Sequence, residues 1–348
     1  MSRHRFLAIT ALVSAALALT APLTGPALAH AGTPPGQAKP GHDTFTVIGD
    51  LPYGTDELAA LPGWVDTINA SKSDFTVHLG DIKSGSQQCT TSYYETIRSQ
   101  FDRFTAPLVY TPGDNEWTDC HRTNNGAYNP LERLGVIRSL FFDHPGVTLG
   151  QDPMTVKSQT ERGLPENVSF RRSGIDFATL HVVGSNNDLQ SWTGIGNTAA
   201  TPQQVDEEQA RMAGAVDQVR QTVATATKKH DAAVAFFLQA DMFDPTYTPT
   251  PSDISAFTPL VHALVDATNS FDGEVYLFNG DSHIYNSDQP LAPGSVWLSR
   301  YGVTGSATNL TRVTVDGSAN AGKDYLQVTV NRPGAASALS WERLPYTG

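Results

Sequence analysis

The residues best suited to chemistry are four aspartates, each of which follows a glycine at the end of an apolar run. They are Asp50, Asp81, Asp114 and Asp281. Glycine permits a sharp turn after a strand, so each aspartate would project beyond the sheet. If the four strands lie side by side in one parallel sheet, the carboxylates meet at its carboxyl edge, where open α/β sheets bind ligands. Their mutual repulsion would then require a cation.

The elements around these turns alternate between strand and helix. Apolar runs rich in β-branched residues predict strands at 45–49, 75–79, 107–111, 232–238 and 274–279. Periodic or capped segments predict helices at 56–70, 91–104, 130–142, 201–230 and 253–268. This alternation is typical of βαβ units in an α/β protein. Further β-like runs at 310–315, 325–331 and 338–343 predict that the C-terminal segment 294–348 completes a second sheet.

The start of the chain predicts export. Residues 1–29 combine a basic beginning, a short apolar stretch and a small-residue end, as in a secretory signal peptide. A membrane anchor is the alternative, but the apolar run is short and is succeeded by the helix-breaking Pro22 and Pro26. We expect residues 30–42 to be a disordered mature N-terminus. We expect residues 43–348 to form a single domain. We therefore expect a secreted or otherwise extracytoplasmic protein.

Charge narrows the class of partner. The chain has 23 Lys and Arg against 35 Asp and Glu, for a formal net charge of −12. Such a surface repels nucleic acid and anionic membranes, so we expect neither as a partner. A polyanionic substrate would bind only where a metal ion locally reverses the sign of the potential.

The two cysteines, Cys89 and Cys120, predict a disulfide. A cysteine pair in an exported protein is most simply a bridge. Because they come after Asp81 and Asp114 by eight and six residues, the bridge would join two of the carboxylate loops. A catalytic or zinc-binding pair is the alternative.

The order of the polar blocks resembles that of the calcineurin-like metallophosphoesterases. That family's blocks are Asp-x-His, Gly-Asp, Gly-Asn-His-Asp/Glu, a lone His after a strand, and Gly-His-x-His. The corresponding positions here are Asp50, Gly80-Asp81, Gly113-Asp114-Asn115-Glu116, the strand end near Gln239, and Gly280-Asp281-Ser282-His283. The resemblance spans roughly residues 44–290. It implies an α/β fold in which a two-sheet β-sandwich is flanked by helices, in α/β/β/α layers, with a metal site at the strand ends.

Several ligand positions depart from the family pattern. Asp114 stands where the family has asparagine, Asn115 where it has a catalytic histidine, and Asp281 where the last block has its first histidine. Pro52 occupies the place of the first block's histidine. The lone histidine is replaced by Gln239, with Asp241 as the alternative.

The resemblance implies two half-sites that share Asp81. The first would consist of Asp50, Asp81 and His283. The second would consist of Asp81, Asp114, Asp281 and Gln239. Oxygen donors dominate the second set, which favours Ca²⁺, Mg²⁺ or Mn²⁺ over Zn²⁺. We expect one or two divalent ions.

The implied function is a secreted, metal-dependent phosphoesterase that hydrolyses phosphate esters with metal-activated water. Because Asn115 replaces the catalytic histidine, His121 is the candidate proton donor to the leaving group. One alternative is a non-catalytic, metal-stabilised binding protein on the same fold, which the lost histidines favour. Another is a serine hydrolase that uses Ser282 with Asp281 and His283.

Overall fold

The structure is a computed structural model, and it describes residues 43–318 and 323–347. The predicted signal peptide at 1–29 and the predicted mature N-terminus at 30–42 lie outside the described residues. None of the helices in the described ranges is long and apolar enough to cross a bilayer.

The described residues contain β-strands, numbered here in chain order. They are β1 (Thr44–Ile48), β2 (Phe75–His78), β3 (Leu108–Tyr110), β4 (Lys157–Gln159), β5 (Leu164–Arg172), β6 (Ile175–Thr179), β7 (Ala233–Phe237), β8 (Glu274–Asn279), β9 (Asn286–Asp288), β10 (Leu310–Thr314), β11 (Asp324–Val330) and β12 (Leu339–Pro345). The α-helices are α1 (Gly54–Ser71), α2 (Thr91–Phe101), α3 (Pro130–Phe141), α5 (Pro202–Lys229), α6 (Pro251–Ile254), α7 (Thr258–Asn269) and α8 (Val296–Arg300), whereas α4 (Gly184–Asn187) is a short turn whose backbone is left-handed from Ser185 on.

The strands form two sheets, as the sequence resemblance implies. The five-stranded sheet has the order β12-β11-β1-β2-β3, and the seven-stranded sheet has the order β4-β5-β6-β7-β8-β10-β9. The condition that all four aspartate-bearing strands lie side by side in one sheet is not met, because β1, β2 and β3 lie in the first sheet and β8 in the second. β1 to β3 pair in parallel, as do β7 and β8. Because both sheets contain parallel strands, their strands have similar sequence patterns.

The C-terminal strands are divided between the sheets. β10 pairs in parallel with β8, whereas β11 pairs antiparallel with β1 and carries β12 on its outer side. The sequence predicted that segment 294–348 completes one second sheet. Its strands instead extend both sheets.

Phenylalanines fill the space between the sheets. Phe45 of β1 stacks on Phe75 with ring centroids 4.9 Å apart, and it meets Phe237 and Phe278 of the facing sheet edge-on at 6.1 and 6.0 Å. All four side chains are fully buried or nearly so. Aromatic pairs in these geometries add to the free energy gained from burial.

Helices cover the outer faces of both sheets. On the seven-stranded sheet, side chains of α5 and α7 pack in one cluster with residues of β7 and β8. On the five-stranded sheet, α1, α2 and α3 pack around residues from the ends of β1 and β3. The layers are thus α/β/β/α, which confirms the fold class implied by the sequence resemblance.

The predicted disulfide is present in the structure. Cys89 and Cys120 are bonded, with their Cα atoms 5.8 Å apart and a sequence separation of 31. Both cysteines are fully buried. The bridge ties the loop after Asp81 to the loop after Asp114.

Replacing both cysteines, Cys89→Ser with Cys120→Ser, should lower the free energy of unfolding by about 3 to 4 kcal/mol, because the unfolded chain regains the freedom of a loop of this length. Denaturant unfolding without reductant measures the change, and the wild-type protein in reductant is the matched control. An unchanged unfolding midpoint, or two free thiols in the native protein, would contradict this prediction.

Candidate metal centre

Three of the four aspartates adopt a left-handed backbone conformation directly after their strands. The φ angle is 55° at Asp50, 57° at Asp81 and 73° at Asp281. Aspartate tolerates this region better than most residues because its short polar side chain can hydrogen-bond locally. The reversal of the chain brings the carboxylates together at the common end of the two sheets.

The turns touch one another, which explains glycine at two of the preceding positions. A Cβ atom on Gly80 would lie 2.4 Å from the backbone nitrogen of Gly113. A Cβ atom on Gly280 would lie 2.0 Å from Oδ2 of Asp50. Any larger residue would push the carboxylate loops apart.

One group of candidate ligands consists of Asp50, Asp81 and His283, whose ligand atoms all lie within 4.8 Å of one another. Asp50 Oδ1 is 3.3 Å from His283 Nε2 and accepts the backbone N–H of Asp281 at 2.9 Å. Asp50 is fully buried, and its Oδ2 atom has no hydrogen-bond partner among the described residues. Leaving such an oxygen unsatisfied is costly, and a cation would satisfy it.

A second group consists of Asp81, Asp114 and Asp281, again within 4.8 Å. Asp281 Oδ2 accepts the backbone N–H of Asp241 at 3.1 Å, and Asp114 Oδ2 accepts the hydroxyl of Ser185 at 2.8 Å. Asp81 belongs to both groups. It therefore contributes a carboxylate oxygen to each group.

The electrostatics of the cluster favour a cation. Burial raises the pKa of Asp81 well above its usual range, and the charge of Asp114 raises it further. Burial raises the pKa of Asp281 as well, again reinforced by Asp114. Burial lowers the pKa of His283, but its hydrogen bond to Asp50 and the surrounding negative charge outweigh this and raise it. The protein alone does not compensate the charge of these carboxylates.

Gln239 does not offer its oxygen to the cluster. Its Oε1 accepts the backbone N–H of Gly184 at 2.7 Å, while its amino group faces Asp81 Oδ2 and Asp114 Oδ1, each at 3.3 Å. An amide NH₂ group cannot ligate a cation, so in this orientation Gln239 donates hydrogen bonds to Asp81 and Asp114. Asp241, the alternative at this position, pairs with the buried Arg312.

Asn115 lies inside the site. Its side-chain amide donates to Asp81 Oδ2 at 2.7 Å, and its backbone N–H donates to Asp81 Oδ1 at 3.1 Å. The same amide donates to the hydroxyl of Tyr53 at 3.0 Å. Tyr53 was not predicted from the sequence, where Pro52 stands at the place of the absent histidine. The only signal was the position of the tyrosine, one residue further along.

His121 contacts a different loop, whereas its neighbour Arg122 pairs with an aspartate beside the cluster. His121 Nδ1 accepts the backbone N–H of Gly194 at 3.2 Å, in a different loop. The Arg122 guanidinium pairs with Asp119 at 2.7 Å. The hydroxyl of Ser185 lies within hydrogen-bond distance of both Asp119 and Asp114. The candidate proton donor predicted from sequence is therefore not brought to the cluster.

The segment that supplies Ser185 is a second feature whose role the sequence did not reveal. Four consecutive residues, 185–188, have positive φ angles between 51° and 73°. A Cβ atom on the preceding Gly184 would lie 2.6 Å from Asp114 Oδ2. None of the four residues is a glycine, the residue that most often signals a left-handed backbone in a sequence.

The serine-hydrolase alternative finds no support in the geometry. The hydroxyl of Ser282 donates to Asp241 Oδ2 at 2.8 Å. His283 Nε2 instead lies 3.3 Å from Asp50 Oδ1 and 3.2 Å from the hydroxyl of Tyr53. A triad requires the serine hydroxyl to meet the imidazole.

Comparison with known proteins places the chain by its fold. No protein-family model matches it, and neither does any curated protein. A dimetal phosphatase from Danio rerio is similar at 12% identity over 88% of this chain and 100% of that one, with a TM-score of 0.54. Purple acid phosphatase PPD1 from yellow lupin (Lupinus luteus) seeds is 13% identical over 86% and 51% of the two chains, with a TM-score of 0.44. The Plasmodium inner-membrane-complex anchor GAP50 is 11% identical over 88% and 90%, with a TM-score of 0.45.

The fold is that of the metallophosphoesterases, as the likeness to the dimetal phosphatase shows. The sequence resemblance is thus confirmed at the level of the fold. The Asp/His groups at the strand ends suit divalent metal ions. The buried Asp50 oxygen without a partner among the described residues fits such an ion equally well.

Proposed function

We propose that this protein is a secreted, metal-dependent phosphoesterase that hydrolyses phosphate esters of small substrates with metal-activated water. The observation that carries the proposal is the presence of two clusters of candidate ligands that have Asp81 in common. One of them contains the buried Asp50 oxygen, which has no hydrogen-bond partner among the described residues. Secretion is supported by the signal-like sequence at 1–29 and by the disulfide, which persists in oxidising compartments.

The two groups would hold two ions. Asp50, Asp81 and His283 would hold the first, and Asp81, Asp114 and Asp281 the second. Oxygen atoms predominate in both sets, which favours Mg²⁺, Mn²⁺ or Ca²⁺ over Zn²⁺. Such ions supply charge neutralisation at the phosphoryl group and a nucleophile at neutral pH.

Residues of the chain itself support the binding of a phosphoryl group. Arg122 keeps 40% of its side chain exposed while it pairs with the buried Asp119. A Cβ atom on Gly85 would lie 3.1 Å from the guanidinium and 2.8 Å from Asn115 Oδ1. The absence of a side chain at Gly85 therefore lets Arg122 lie close to Asn115, which donates to Asp81. Arginine is well suited to phosphate oxygens. In a chain of net charge −12, this guanidinium offers the substrate a fixed positive charge.

A non-catalytic binding protein on the same fold is the second candidate. Two observations favour it: Asn115, which cannot transfer a proton, stands where the family has a catalytic histidine, and Gln239 presents an amino group at a ligand position. Such a protein would be stabilised by metal without turning over esters.

Activity and metal dependence separate the two candidates. The metal-stripped protein, refilled separately with Mg²⁺, Mn²⁺, Ca²⁺ or Zn²⁺, should hydrolyse phosphate mono- or diesters with at least one ion. Asp81→Asn should abolish this turnover, because it removes a charge from both groups. Asp56→Asn, a change at an exposed aspartate on α1, is the matched control and should leave the rate unchanged. If no ion supports turnover but ions raise the melting temperature, the binding-protein candidate is favoured.

Replacing Arg122 tests its role in substrate binding. Arg122→Gln should raise KM by about tenfold with a smaller effect on kcat, since a charged hydrogen bond to the phosphoryl group contributes about 1.5 kcal/mol or more. Arg162→Gln is the control, because Arg162 is also ion-paired on the surface, with Asp217. Equal KM values for the Arg122→Gln variant and the wild type would show that Arg122 does not contact substrate.

A further inference from the structure

Tyr53 directs its hydroxyl into the centre of the candidate metal site. The oxygen lies 3.0 Å from Asp81 Oδ2 and 3.2 Å from His283 Nε2. It also accepts the side-chain amide of Asn115 at 3.0 Å. Two of these neighbours belong to the first ligand group.

The spacing of these atoms is that of donors around a single ion. Two donors at right angles, each about 2.1 Å from a small divalent cation, are about 3.0 Å apart. The Tyr53 oxygen has this separation from Asp81 Oδ2 and nearly the same from His283 Nε2. The distance between Asp50 Oδ1 and His283 Nε2, 3.3 Å, belongs to the same range.

The backbone and ring of Tyr53 are held in place. Tyr53 immediately precedes α1, and its backbone N–H donates to Glu57 Oε2 at 2.6 Å. Its ring meets the ring of His283 edge-on, with centroids 5.3 Å apart. The hydroxyl is therefore positioned by contacts other than those it makes with the carboxylates.

The first ligand group has only three members among the described residues. Pro52, which stands at the place of the family's histidine, has no side-chain group that could bind a cation. Tyr53, the next residue, has an oxygen at hydrogen-bond distance from two of the three ligands.

We propose that the Tyr53 hydroxyl oxygen is the fourth protein ligand of the ion held by Asp50, Asp81 and His283. This inference rests on the metal centre of the proposed function. It assigns to this chain an oxygen donor where the related pattern has a nitrogen donor. The consequence is a half-site with three oxygen atoms and one nitrogen, which favours Mn²⁺ or Mg²⁺ over Zn²⁺.

Metal-binding measurements on the mature protein test the proposal without reference to activity. Equilibrium dialysis with Mn²⁺, followed by metal analysis, gives the number of bound ions and their affinities. Tyr53→Phe removes the oxygen and keeps the ring against His283. It should weaken one of two ions at least tenfold and leave the other within twofold of wild type. Tyr247→Phe, at a half-exposed tyrosine, is the control and should change neither.

A second variant separates ligation from hydrogen bonding. Tyr53→His restores a ligand and should recover the lost ion, with a shift in preference from Mn²⁺ towards Zn²⁺. This variant also carries the test if Tyr53→Phe does not fold. A purely hydrogen-bonding Tyr53 predicts no such shift.

Four outcomes would overturn the inference. In the first, Tyr53→Phe binds both ions as the wild type does. In the second, it weakens both equally. In the third, Tyr53→His neither recovers the ion nor shifts the preference. In all three, a metal-binding wild type would leave the proposed function standing. In the fourth, the wild type binds no divalent ion, and the proposed metal centre fails together with the role of Tyr53.

Discussion

The structure depends on the crowding of four carboxylates at one end of two packed sheets. Asp50, Asp81, Asp114 and Asp281 are held close together and largely out of water, although like charges repel strongly where the dielectric constant is low. Hydrogen-bond donors surround them and compensate part of the cost. The remaining cost falls on groups such as Asp50 Oδ2, which has no partner among the described residues. A site that keeps such an arrangement is organised for cations.

A surrounding layer of buried polar groups fixes the ligand loops. Glu116 Oε1 accepts the backbone N–H groups of Gly113 and Asp81 at 2.7 and 3.2 Å and the hydroxyl of Tyr110 at 2.8 Å. One buried carboxylate oxygen thus holds two of the ligand turns in register. On the other side, the buried Arg312 holds Asp241. Such networks are costly to disrupt because each partner would be left buried and unpaired.

Much of the fold could be predicted from sequence because its signals are local. The capping box at Thr201 and the adjacent proline predicted the long helix, which the structure has at Pro202–Lys229. The Gly-Asp turns pointed to the aspartates that cluster in the structure, because each follows a buried strand. Two sheets were implied by the resemblance, but which strand belongs to which sheet could not be predicted, since parallel strands buried on both faces look alike in either sheet.

The details of the site depend on contacts between distant parts of the chain, which sequence does not display. The hydroxyl of Tyr53 contacts His283, which is 230 positions away in the sequence. The side chain of Gln239 is oriented by the backbone N–H of Gly184, which belongs to another loop. His121 and Arg122 are neighbours in sequence, but His121 contacts the backbone of Gly194 whereas Arg122 pairs with Asp119. Side-chain direction at a turn is set by tertiary packing.

Crystals grown with Mn²⁺ would test the central claim directly, through anomalous difference maps at the strand ends. The metal centre proposed here predicts two peaks, one among Asp50, Asp81 and His283 and one among Asp81, Asp114 and Asp281. The absence of a peak at either position, at a Mn²⁺ concentration that saturates any binding seen in solution, would contradict it.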